Sequence, residues 1–182
     1  MDKEEKRQGI IKKLNKIYRN GYVPSRDMSQ YCHKFTTVVN CFGHACFNLT
    51  DESLEEFSQN KAELKEFFRH FGGLGIYNIF REAKDRVRQV GLKIEECKIK
   101  DKMQKNQWKV ACYVQNDEFS GSDLHFMIQT KDGKWTSKLG ENPNVEVFDK
   151  LPKTFRENYE LSGIYKITNP YVKLEDNEDM EM

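Results

Sequence analysis

Apolar residues recur at Ile10, Ile11, Leu14, Ile17 and Tyr18 among lysines, arginines and glutamates, the spacing of a helix with one buried stripe, and Asn20-Gly21 supplies its stop. Pro24, Ser25 and Asp27 mark a loop, and the β-branched run Thr36–Val39 reads as a short extended approach to the next segment. Phe42, Ala45, Cys46 and Leu49 then repeat at helical spacing. A capping-box pattern at Ser53 and Glu56 opens a run with Leu54, Phe57, Leu64, Phe67, Phe68 and Phe71, read as one helix to about residue 70. Gly72-Gly73-Leu74-Gly75 breaks it, and Ile79, Phe80, Ala83, Val87 and Val90 form a further helix. From Gly91 the pattern turns extended, with strands expected at 92–99, 107–115, 124–130, 134–139, 145–148 and 159–167. Helices first and an antiparallel meander afterwards make an α+β fold, N-terminal helices packed on a C-terminal antiparallel sheet.

The pattern also sets a register. Asp132-Gly133 as a two-residue hairpin turn places His125 opposite Gly140, with Thr136 and Lys138 on its face and Trp135 and Leu139 with Phe126 and Ile128 on the other. The chain has 182 residues, 37% of them hydrophobic, enough for a single domain over residues 1–172. Residues 173–182 are acidic and poor in core residues, and are expected to be a disordered tail.

A net charge of +1 gives no general argument for nucleic acid or membrane as partner. Five cysteines, an odd number without a repeated framework, point to reduced thiols in a cytoplasmic setting, and the first residues lack the apolar run of a signal peptide.

Two residues stand out chemically. Cys41 falls in the first turn of a helix, where amide N–H groups and the helix dipole favour thiolate. His125 lies on a strand, on the face opposite Leu124, Phe126 and Ile128. A thiol at a helix start with an imidazole on a facing strand is the layout of thiol hydrolases. Three rival readings compete. Cys32, His33, Cys41, His44 and Cys46 are close enough in sequence to suggest zinc, although their spacing matches no common ligand pattern. Lys98, Lys100, Lys102, Lys105 and Lys109 with Trp108 and Tyr113 could grip a phosphate backbone, but Glu95, Glu96 and Asp101 dilute them. The glycines at 72–75 precede a helix but follow no strand, so a tight turn is preferred to a phosphate loop. No metal or cofactor is expected.

Asn-Cys-Phe-Gly-His-Ala at 40–45, Asp-Leu-His-Phe-Met-Ile-Gln at 123–129, Asp-Gly-Lys-Trp-Thr-Ser-Lys-Leu-Gly at 132–140 and Tyr-Glu-Leu-Ser-Gly-Ile-Tyr at 159–165 carry a resemblance. They resemble the papain-like superfamily in its compact NlpC/P60 form, and more closely a group of small bacterial, phage and viral proteins with an Asn-Cys helix start and an Asp-Tyr-His-Phe-type strand. The resemblance implies a papain-like core and a cysteine peptidase or amidase acting on a peptide or amide through a thioacyl intermediate. Carried over, it makes Cys41 the nucleophile and His125 the base, and sets Asn40 or the Cys41 N–H at an oxyanion hole. The third position is open between Asp149 and Asn142, because Ser137-Lys138-Leu139 stands where the related hairpins carry Ser-His-Lys-Pro. The alternative is a catalytically inactive binding protein on the same scaffold, contacting RNA or a host factor.

Overall fold

The computed structural model describes residues 1–27, 34–69, 76–117 and 121–174. Helix α1 (Lys3–Arg19) opens with a capping box in which the Asp2 carboxylate accepts from the Glu5 N–H and Glu5 accepts in return from the Asp2 N–H. Its apolar stripe buries Ile10, Ile11, Leu14 and Tyr18. A short helical run begins at Cys41 and continues as a π-helix, Gly43–Phe47.

The long helix expected from Ser53 is three pieces: α2 (Asp51–Leu54), a 3₁₀ turn (Glu55–Phe57) and α3 (Lys61–Phe68). Its cap is Thr50, whose hydroxyl accepts from the Ser53 N–H at 3.2 Å. The break comes where the Ser58 hydroxyl turns back onto the Glu55 carbonyl at 2.7 Å, a local bond that competes with helix continuation. Helix α4 (Ile76–Gln89) completes the helical layer.

Seven antiparallel strands form one sheet: β1 (Lys93–Glu96), β2 (Gln107–Asp117), β3 (Gly121–Gln129), β4 (Trp135–Lys138), β5 (Val145–Phe148), β6 (Thr154–Phe155) and β7 (Tyr159–Thr168). The order β1-β7-β2-β3-β4-β5 is not the simple meander expected, because β7 returns to lie between β1 and β2 and pairs Ile167 with both Ile94 and Trp108. The two-residue β6 pairs with β7, and its brevity left no periodic signal in the sequence.

Side chains alternate between the two faces of this sheet. Trp108, Val110, Cys112, Phe126 and Ile128 face the helices and join their apolar stripes in the main core. Ala111, Tyr113, Met127, Trp135 and Phe155 form a second, smaller cluster on the opposite face.

The β3–β4 register corrects the expected one. The Thr130 N–H donates to the Lys134 carbonyl at 2.8 Å and the Gly133 N–H to the Thr130 carbonyl at 3.1 Å, so the loop is the three residues Lys131–Gly133. Gly133 sits at φ +86°, the left-handed position that closes such a loop. Met127 therefore pairs with Ser137 and Ile128 with Thr136. A shift of one residue reverses every side chain of β4: Ser137 and Trp135 share the His125 face, while Thr136 and Lys138 face the helices.

Candidate functional site

The chain reaches Cys41 through a hydrogen-bonded turn in place of the expected extended run, with the Val38 and Val39 N–H groups both donating to the Phe35 carbonyl. Asn40 then caps the helical segment. Its Oδ1 accepts from the Gly43 N–H at 3.0 Å, its carbonyl accepts from the His44 N–H at 2.9 Å, and its Nδ2 donates to the Phe68 carbonyl. The Asn40 amide is thus committed to the cap and to α3. Gly43 allows the close packing, since a Cβ there would meet Phe68 Cδ2 at 3.0 Å and Val39 Cγ1 at 3.1 Å.

The far end of the segment is held by ring donors from distant elements. Trp108 Nε1 donates to the Cys46 carbonyl at 3.2 Å, the Tyr18 hydroxyl to the Phe47 carbonyl at 2.6 Å, and the Tyr22 hydroxyl to the Asn48 carbonyl. These satisfy carbonyls that a helix end otherwise leaves unpaired.

Toward the sheet, His44 Nε2 meets Thr136 Oγ1 at 3.1 Å. Two residues along the same face of β4, Lys138 Nζ donates to the Thr36 carbonyl at 2.8 Å and the Gly140 carbonyl at 2.6 Å. Burial pushes the Lys138 ammonium down to about 8, with Cys41 and Glu141 acting in the opposite direction, so thiol and amine lie within electrostatic reach. Cys41 is 1% exposed. Burial raises the thiols of Cys46 and Cys112 well above their ordinary value, as for core residues.

Beside this segment lies an open cleft of about 900 Å³, bounded by Thr37, Val38 and Asn40, by Lys65 of α3 and Arg69 just after it, and by Gly140 and Glu141. Lys65 and Glu141 form an ion pair between two of its walls. Another groove, about 540 Å³ and lined by Lys3, Glu63 and Arg86, contains none of the candidate residues.

His125 belongs to the other face. Its Nε2 lies 2.6 Å from Ser137 Oγ, its ring stacks on Phe155 at 4.3 Å and 10°, and the edge of Tyr159 approaches at 6.1 Å. The Tyr159 hydroxyl donates to Asp123 Oδ2 at 2.6 Å, and burial together with that carboxylate raises the phenol. The sequence candidates thus have different partners, Cys41 and Asn40 in the helical segment and His125 against Ser137 and Phe155, while Tyr159 at the edge of the His125 ring lies within reach of the Cys41 charge. Asp149 is surface-exposed and pairs with Lys134 at 3.8 Å, and Asn142 accepts from the Asn144 N–H, so His125 has Ser137 as its described polar partner rather than either of them.

Among the described residues no group of three His, Cys, Asp or Glu side chains is arranged for a metal, while Cys32 and His33 lie outside them, as do the glycines at 72–75 and residues 175–182. No described helix is long and apolar enough to cross a membrane. Sequence reasoning missed Lys138 and Thr136 as neighbours of the thiol segment. The signal was a glycine in the last position of a three-residue loop, which reverses the faces of β4.

Helices over an antiparallel sheet, with a capped cysteine segment wedged between them, define an α+β domain. The chain belongs to a domain family of unknown function, DUF7689, whose model matches residues 30–159. Comparison with curated proteins and with solved structures gives no match.

Proposed function

We propose that the protein is a cysteine-dependent hydrolase of the peptidase or amidase kind on a papain-like scaffold, with Cys41 as its nucleophile. The observation that carries this reading is the placement of Cys41 as the first residue of a helical run capped by Asn40, next to the cleft that Asn40 lines. A helix start favours thiolate. Attack of the thiolate on a substrate carbonyl forms the C–S bond. Collapse breaks the C–N bond and releases the amine with a proton from water. A second water then hydrolyses the thioester to acid and thiol. His125 is bonded to Ser137 and stacked on Phe155, so the reading rests on Cys41.

The test is iodoacetamide labelling of the full chain across pH, read by peptide mass spectrometry, together with amine release from a peptide and amide panel. Cys41 is expected to label faster than Cys97 below the roughly 8.5 of an ordinary thiol, and Cys41→Ala to abolish amine release. Labelling of Cys41 no faster than Cys97, with turnover unchanged in Cys41→Ala, overturns it.

A second reading has its own support. Cys41 is nearly inaccessible, and Lys98, Lys100, Lys102 and Lys105 are exposed on the β1–β2 connection, which suits a non-catalytic module for an acidic partner. Under that reading binding to a polyanion persists in Cys41→Ala and falls steeply with salt.

A further inference from the structure

Lys138 is the feature that neither the hydrophobic periodicity nor the family match accounts for. A lysine with no solvent exposure is uncommon, because its ammonium must be stripped of water. Here it is held by two carbonyls, Thr36 at 2.8 Å and Gly140 at 2.6 Å. One lies five residues before Cys41, and the other belongs to a residue that lines the cleft.

The geometry of the two elements pairs it with the thiol. His44 and Cys41 are three residues apart on one helical run, and Thr136 and Lys138 are two apart on one face of β4. The His44–Thr136 hydrogen bond fixes how these rows meet. Thr36 and His44, which flank Cys41 in sequence, thus both bond to this face of β4, which brings the thiol segment over Lys138, and the Cys41 charge acts on that ammonium.

The Cys41 charge also acts on Cys46, Cys112 and Tyr159, and Glu141 acts together with Cys41 on Lys138. Of these groups Lys138 carries positive charge at neutral pH. Glu141 also forms an ion pair with Lys65.

We propose that Lys138 is a positioning residue for the Cys41 thiol, a fixed cation that holds it as thiolate while its two carbonyl bonds pin the turn before Cys41 to Gly140 at the cleft. This rests on Cys41 being the nucleophile of the hydrolase proposed above. A lysine so placed does for a thiolate what a neighbouring imidazolium does elsewhere, without requiring His125 to reach it.

The experiment is the pH profile of Cys41 alkylation in the full chain, with Cys97 as internal reference. In Lys138→Met the profile should move to higher pH, cutting Cys41 labelling at pH 6.5 by about tenfold, while Cys97 is unchanged. Lys138→Arg should restore most of the rate. An unmoved profile in Lys138→Met, or Lys138→Arg behaving like Lys138→Met, overturns the proposal.

A second measurement needs no lysine variant to fold. Coupling is reciprocal, so in Cys41→Ala the Lys138 ammonium, followed by carbon NMR of its Cε, should titrate at lower pH than in the wild type. An identical titration overturns the pairing. If the coupling is present and no amide is cleaved, the pairing stands and only the hydrolase reading fails.

Discussion

Two adjacent residues of β4 face opposite ways and each meets a histidine. Thr136 takes His44 of the π-helical segment at 3.1 Å on the helix side, and Ser137 takes His125 of β3 at 2.6 Å on the other. The first pair sits among backbone bonds that fix a cysteine and a buried lysine beside a cleft. The second sits under Phe155 and beside a Tyr159–Asp123 bond. Similar chemical parts on one strand are thus assigned to different neighbourhoods by strand parity alone.

Core substitutions give the largest test of how the faces differ. Trp108→Ala on the helix face should cost about 3–5 kcal/mol in urea unfolding, since it empties a buried site and removes the donor to the Cys46 carbonyl. Phe155→Ala should cost less, because its ring comes from a two-residue strand over the smaller cluster. The reverse ranking would mean that the second cluster, not the helical layer, holds the sheet.

The two hydroxyls separate structure from chemistry more sharply. Thr136→Val and Ser137→Ala should each cost about 1–3 kcal/mol by leaving a buried imidazole nitrogen short of this bond. Cys41 alkylation should change in Thr136→Val and hold in Ser137→Ala. A change confined to Ser137→Ala would move the chemistry to the His125 side. Smaller still is the cap: Asn40→Ala should cost about 1 kcal/mol in thermal unfolding and slow Cys41 alkylation near neutral pH.

The same lysine makes stability depend on pH. The Lys138 ammonium titrates near 8 in the folded chain, below its unfolded value of roughly 10.4, so between these the unfolded state binds more protons. Stability from this group therefore rises with pH across that window, with its full cost present below about pH 8. Urea midpoints of wild type and Lys138→Met at pH 7.5 and 10 should converge at the higher pH, and parallel values would exclude the lysine as the source.

Much of the scaffold was legible from periodicity. The stripe of α1, the apolar residues of the Cys41 segment and the parity of His125 against Phe126 follow directly from 3.6- and 2-residue repeats. The parts that escaped depend on single residues or distant partners. One loop residue set the β4 register, Ser58 divided the long helix, and β7 reached its place between β1 and β2 through long-range pairing that no local window records. For the site, Cys41 and Asn40 were visible as a helix start. The Lys138 environment was not, because it exists only after Thr36, Gly140 and the strand are brought together.

The ring donors at the end of the π-helical segment bear on where this domain can be cut. Tyr18 and Tyr22, which bind the Phe47 and Asn48 carbonyls, precede the family match at 30–159, and nearly all of β7 follows it. A fragment trimmed to the matched residues would leave β1 and β2 without the strand between them and the cysteine segment without two of its tethers. The unit that must be expressed or transplanted intact is therefore larger than the unit that sequence comparison outlines.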